Sequence, residues 1–141
     1  MRQKLFLLLA LFAATITFGA CSSDDDGDKT SAESLVGTWY CEMDGYGCEF
    51  QFTADGTVTY TETMLEDATS RSRDTGTYRL SGSTLSLHWT KSESWSNYRG
   101  EWTIDDTDVE DATVRVRVKG KELTLSPVNA DDGSPVTFTR K

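Results

Sequence analysis

Between Val114 and Lys119 the chain alternates without a break, with Val114, Val116 and Val118 on one side and Arg115, Arg117 and Lys119 on the other. A period of two belongs to a strand, and a strand with one apolar and one charged face must bury the first against a core. The same alternation recurs along the chain. Leu35, Gly37, Trp39 and Cys41 share one side of a first segment, and Cys48, Phe50 and Phe52 one side of a second. Val58, Tyr60 and Met64 follow, then Gly76, Tyr78 and Leu80, then Leu85, Leu87 and Trp89. Trp102 with Ile104, Leu123 with Leu125, and Val136 with Phe138 complete the series. Turn residues separate these runs at Asp44-Gly45, Ala54-Asp55-Gly56, Ser81-Gly82-Ser83 and Lys119-Gly120-Lys121. Polar loops are expected from Glu66 to Asp74 and from Thr90 to Arg99. The spacing predicts an all-β domain over residues 33–141, a single small antiparallel up-and-down β-barrel of about eight or nine short strands.

Residues 1–20 read as an address. Arg2 and Lys4 precede an uncharged apolar stretch, Leu5 to Ala20, which is shorter than the ~20 residues of a membrane-spanning helix. It ends in small residues immediately before a cysteine, the pattern of a cleaved secretory signal. Phe18-Gly19-Ala20-Cys21 resembles the bacterial lipobox, which implies diacylglycerol, and in some cases a further N-acyl chain such as palmitate, on Cys21. Residues 21–32, with the run Asp24-Asp25-Asp26-Gly27-Asp28, hold no core-forming side chain and are expected to be a solvated tether. A serine after Cys21, followed by aspartates, also resembles the surface-export signal of lipoproteins in one Gram-negative lineage. The expectation is a lipid-anchored outer-membrane protein facing the cell exterior, because stable anchoring takes more than one acyl chain and such a cysteine supplies them.

The chain carries a net charge of −9, and residues 1–20 hold two bases and no acid, so the remainder has 12 bases against 23 acids, a net −11 (12 − 23). Such a surface repels phosphate backbones, which excludes nucleic acid as a partner. With Cys21 assigned to lipid, Cys41 and Cys48 remain as a pair in an oxidising compartment. A two-residue Asp44-Gly45 hairpin would oppose them at a hydrogen-bonded pair with distant Cα atoms; a four-residue loop, Met43 to Tyr46, would bring them closer. The second geometry suits a bridge, and a Cys41–Cys48 disulfide is predicted. Two cysteines and the distant His88 do not make a zinc site.

Leu35-Val36-Gly37-Thr38-Trp39 is similar to the lipocalin signature on a first strand. Together with Phe52-Thr53-Ala54-Asp55-Gly56-Thr57, Gly76-Thr77-Tyr78, Leu85-Ser86-Leu87 and Phe138-Thr139-Arg140, in that order, it resembles the lipocalin-like domain of bacterial lipoproteins. The resemblance implies an up-and-down barrel closed at one end by Trp39, with Arg140 packed over its ring. A guanidinium over an indole face is worth roughly 0.5–2 kcal/mol.

The inward set, Trp39, Phe50, Phe52, Tyr60, Tyr78, Trp89, Trp102 and Phe138, is large for a barrel whose interior just admits side chains or one small ligand. Glu62 is the one charge that alternation turns inward. A polar ligand would need several convergent polar groups, so the interior is either packed or open to something apolar at one mouth. Trp95 and Tyr98 stand in a polar segment and, with Trp89 and Tyr60, are the candidate contacts for a ligand or partner. The run Asp105-Asp106-Thr107-Asp108-Val109-Glu110-Asp111 lacks the glycine and glutamate of an EF-hand and reads as a solvated loop. No nucleophile, metalloprotease or phosphate-loop motif is present, so no catalytic residue, metal or cofactor beyond the covalent lipid is assigned. Two functions follow: a non-enzymatic, monomeric envelope lipoprotein whose barrel binds a small apolar ligand, or an interaction module with a packed barrel and functional loops, inhibitor-like or accessory to a surface complex.

Overall fold

The computed structural model describes residues 30–141; the expected signal segment 1–20, Cys21 and most of the expected tether lie outside the described residues. A short helix, α1 (Ala32–Leu35), precedes nine strands: β1 (Gly37–Met43), β2 (Tyr46–Phe52), β3 (Thr57–Met64), β4 (Arg71–Ser81), β5 (Thr84–Ser96), β6 (Glu101–Asp106), β7 (Ala112–Lys119), β8 (Glu122–Pro127) and β9 (Val136–Arg140). Every pairing is antiparallel. The sheet runs β4-β3-β2-β1-β9-β8-β7-β5, and a further β4–β5 pairing closes it into an eight-stranded barrel. β6 stands outside that ring, paired to the far half of β5. Closure leaves no free edge within the ring itself, which is how an antiparallel sheet avoids unpaired backbone groups.

Alternation sets the core as expected. β7 buries Ala112, Val114, Val116 and Val118 and exposes the residues between them. Trp39, Phe50, Phe52, Val58, Leu85, Leu87 and Leu123 are each no more than 1 % exposed, and all face the barrel axis. Phe50 stands at the centre of the rings, with centroids 4.5 Å from Tyr60, 5.3 Å from Phe138 and 5.5 Å from Phe52. Side chains of this size in contact fill a small barrel from wall to wall.

One end is sealed. Leu35, expected on a strand, instead ends α1, because Ser31 and Ser34 cap each other reciprocally at the helix N-terminus. The turn lays Leu35, fully buried, across the barrel mouth. Trp39 Nε1 donates to the Leu35 carbonyl at 2.8 Å. The Arg140 guanidinium lies 4.2 Å from the Trp39 ring centroid and donates to the carbonyls of Val36 (2.8 Å) and Ser34 (2.6 Å). Chain contacts with the barrel begin before residue 33: the Thr30 hydroxyl accepts the Val118 amide at 3.0 Å. The last residues expected in the tether therefore belong to the domain.

Two expectations are corrected by the strand lengths. Neither 66–74 nor 90–99 is wholly loop, since β4 begins at Arg71 and β5 continues to Ser96. Apart from Trp95 both extensions are polar, so hydrophobic periodicity does not reveal them; mutual pairing, Ser72 with Ser94 and Arg73 with Glu93, makes them strands. A bulge lies between them and the barrel wall, where Gly76 pairs with Trp89 but Thr75 with Lys91.

The predicted disulfide is also corrected. Cys41 and Cys48 are cross-strand partners, yet both thiols are free. The turn supplies the reason. Asp44 and Gly45 have φ values of 53° and 83°, those of a two-residue type I′ turn, and Met43 pairs directly with Tyr46. Counting back two pairs from that closing pair sets the cysteines at a hydrogen-bonded position, where facing side chains stand farther apart than at a non-hydrogen-bonded pair. Hydrogen bonding with Cys48, and then burial, pushes the Cys41 thiol well above the usual range.

Candidate functional site

The four candidate contact residues separate into two places. Tyr60 and Trp89 lie inside the barrel, 4 % and 3 % exposed, and cannot be reached from outside. The Tyr60 hydroxyl donates to Glu62 Oε1 at 3.0 Å, within the only buried polar patch of the described interior wall. Burial, and then the neighbouring Glu62 charge, raises Tyr60 well above the ordinary phenol value. Glu62 thus points inward as alternation requires, near the open end of β3.

Trp95 and Tyr98 are elsewhere. β5 continues past its last pair with β7, and its far half forms a three-stranded flap with β6 on one side and the start of β4, itself still paired to β3, on the other; Trp95 is on β5, Trp102 on β6 and Tyr98 in the turn that joins them. Tyr98 is 98 % exposed, and its ring contributes nothing to the core. Trp102, expected inside the barrel, is instead directly opposite Trp95, their rings edge to face with centroids 5.5 Å apart. The bulge at Thr75/Gly76 accounts for this. One extra residue in β5 turns Lys91, Glu93 and Trp95 to the outer side of the sheet, with Arg71 and Arg73 of β4 beside them.

Cations and rings alternate across that outer face. The Arg73 guanidinium stands 4.2 Å from the Trp102 centroid, and that of Arg71 stands 4.2 Å from Trp95 and 5.4 Å from Trp102. Beneath them Glu93, 5 % exposed, accepts from Arg73 Nε at 2.7 Å and lies 3.3 Å from Lys91 Nζ. The Arg73 hydrogen bond holds the Glu93 carboxyl below the usual range, against the opposing effect of burial. Arg71 Nε is buried and has no hydrogen-bond partner among the described residues, so its contacts there are with the indoles. Sequence reasoning missed Arg71, Arg73, Glu93 and Trp102 as members of one surface. The signal was the strict alternation of Arg71-Ser72-Arg73 and of Ser92-Glu93-Ser94-Trp95-Ser96, which carries too few apolar residues to register as a strand.

The acidic run is spread out rather than convergent. Asp105 accepts from Ser94 Oγ at 3.0 Å, Asp106 from the Asp108 amide at 2.9 Å, and Asp111 lies 2.7 Å from His88 Nδ1 on the barrel exterior. Among the described residues no group of three or more His, Cys, Asp or Glu side chains is placed to hold a metal ion.

Fold and surface together define a class: a closed, eight-stranded antiparallel barrel with a filled interior and one projecting aromatic–cationic flap. No family model and no curated protein matches the chain. Among solved structures it is similar to the NMR structure of a protein from Bacteroides uniformis ATCC 8492, with a TM-score of 0.50 and 19 % identity over 80 % of this chain and 94 % of that one. At that identity the likeness supports the fold alone.

Proposed function

We propose that this chain is a non-catalytic envelope lipoprotein of the lipocalin-like kind, anchored through Cys21, whose barrel is a rigid mount for a protein-binding flap. One observation carries this reading. The aromatic residues of the barrel are spent on filling it, whereas Trp95, Trp102 and Tyr98 are held outside, on β6, on its turn and on the half of β5 that pairs with β6. A carrier of apolar ligands would leave part of that interior free, so the ligand-binding alternative is the weaker one. The flap projects from the end opposite Thr30, so an anchored chain would hold it away from the bilayer.

Site-specific photo-crosslinking tests the proposal in intact cells. A photoreactive phenylalanine replacing Tyr98 should give a discrete protein adduct, while the same probe at Glu122, at the opposite end of the barrel, should not. Adducts absent from Tyr98, or equal at both positions, would overturn the flap reading. Metabolic labelling with a palmitate analogue, lost in Cys21→Ser, tests the anchor separately. A titration with an apolar fluorophore that shifted the emission of buried Trp39 and Trp89 would restore the carrier alternative.

A further inference from the structure

Every strand of the barrel has a hydrogen-bonded neighbour on each side, but β6 pairs with β5 alone. The far edge of β6 therefore presents alternate amides and carbonyls with no strand partner among the described residues. Such an edge is a template for another strand unless the sequence blunts it with charge, proline or covering chain. Here the blunting is one-sided. Glu101, Thr103 and Asp105 lie on one face, and Trp102 and Ile104 on the other, with Ile104 57 % exposed at the centre of the strand. Arg99 lies 3.8 Å from Glu101, but both side chains are more than half exposed, so the contact is screened and easily exchanged.

The charges decide what can be added. In an antiparallel pairing of β6 with a second copy centred on Thr103, Glu101 opposes Asp105 of the copy. Centred between Thr103 and Ile104, the pairing opposes Glu101 to Asp106 and Trp102 to Asp105. Like charges directly opposite destabilise a pair, so both registers are disfavoured. The chain's own Asp24–Asp28 run is excluded by the same rule. A segment with Lys or Arg at alternate positions meets Glu101 and Asp105 favourably, while the apolar residues between them cover Ile104 and the edge of Trp102. The net charge of −9 attracts the same partner at longer range.

We propose that β6 is a docking edge for an extended partner segment of alternating basic and apolar residues, which adds to the flap as a further antiparallel strand. This rests on the flap reading above and specifies the partner's chemistry. Backbone bonds would supply adhesion, and the alternating acids the selectivity.

The test uses the full chain and capped peptides. A Lys-Val-Lys-Ile-Lys-Val peptide should slow hydrogen exchange at least tenfold at those β6 amides that point away from β5. The same peptide with alternate backbone N-methyl groups keeps every charge and side chain but loses one hydrogen-bonding edge, and should give no protection. The Glu101→Lys/Asp105→Lys variant, altered only at exposed positions, should reject the basic peptide and accept Glu-Val-Glu-Ile-Glu-Val. Equal effects of the two basic peptides, protection elsewhere on the barrel, or unchanged preference in the variant would overturn the edge inference. If Tyr98 still crosslinks in cells while β6 gains no protection, the edge inference fails and the flap reading stands. Loss of both results removes the flap reading as well.

Discussion

Trp39 and Arg140 are direct cross-strand partners at the seam where the last strand meets the first, and the guanidinium covers the indole face at 4.2 Å. The same guanidinium forks to the carbonyls of Ser34, in the single turn of α1, and Val36, the residue that caps it. One side chain thereby joins the seam, the plug and the last turn of the helix. Charge-assisted hydrogen bonds contribute about 1.5–3 kcal/mol each when retained, and the cation–π contact adds to them. Arg140→Ala should lower the unfolding free energy in urea by ~2–4 kcal/mol. Arg140→Lys should recover only part, because an ammonium lacks the planar fork that reaches two carbonyls and a ring together.

Gly37 lies under that fork. Its φ is 140°, and a Cβ added there would stand 2.5 Å from Arg140 Nη1. Gly37→Ala should cost more than ~1 kcal/mol through backbone strain and displacement of the arginine. In a double-mutant cycle, Gly37→Ala combined with Arg140→Ala should cost less than the sum of the two, since removing the arginine relieves the clash. Strict additivity in urea melts would show that strain at φ acts alone.

Glu93 sets an acid limit on the flap. Its carboxyl is held low by the Arg73 hydrogen bond, so its folded value lies below its unfolded one. For a group depressed in this way, the stabilisation is present above the unfolded value of about 4.3 and fades as pH falls through the folded value. Wild type should therefore lose stability on acidification below about pH 4.3 more steeply than Glu93→Gln. Exchange rates of flap amides against pH would show this, and parallel curves for the two proteins would contradict it.

The free thiols give a redox prediction. With no bridge between Cys41 and Cys48, the thermal midpoint should be the same with and without reductant. A bridge would have made the oxidised form the more stable one. Cys41, whose thiol is pushed up by hydrogen bonding with Cys48 and by burial, should also alkylate more slowly at pH 8 in the folded protein than in urea.

How far the sequence was legible depended on where apolar residues were placed. β7 and the Trp39 strand announce themselves because each has one face that must leave water, and the class of barrel follows from their repetition. The seam was expected from the resemblance carried by Leu35-Val36-Gly37-Thr38-Trp39 and Phe138-Thr139-Arg140, and alternation agreed by turning Trp39 and Arg140 inward on the first and last strands. The flap was not. Arg71, Arg73 and Glu93 occupy strand positions through pairing with one another, and a single bulge near Gly76 inverts which side of β5 faces out. Neither effect is local to a window of sequence. The missing disulfide turned on something smaller: Asp44-Gly45 adopts the tight two-residue turn, and the cysteines fall at the wider pair.

β5 runs thirteen residues from the sealed end of the barrel to the flap, pairing with β4 along nearly all of one side and with β7 and then β6 on the other. A force applied between Thr30 and the flap tip is directed along that strand, so the β4–β5 ladder is loaded in shear. Many backbone bonds must then yield together, whereas a load across the sheet would open them one at a time. A load between the two ends of the barrel therefore meets a ladder that resists as a unit.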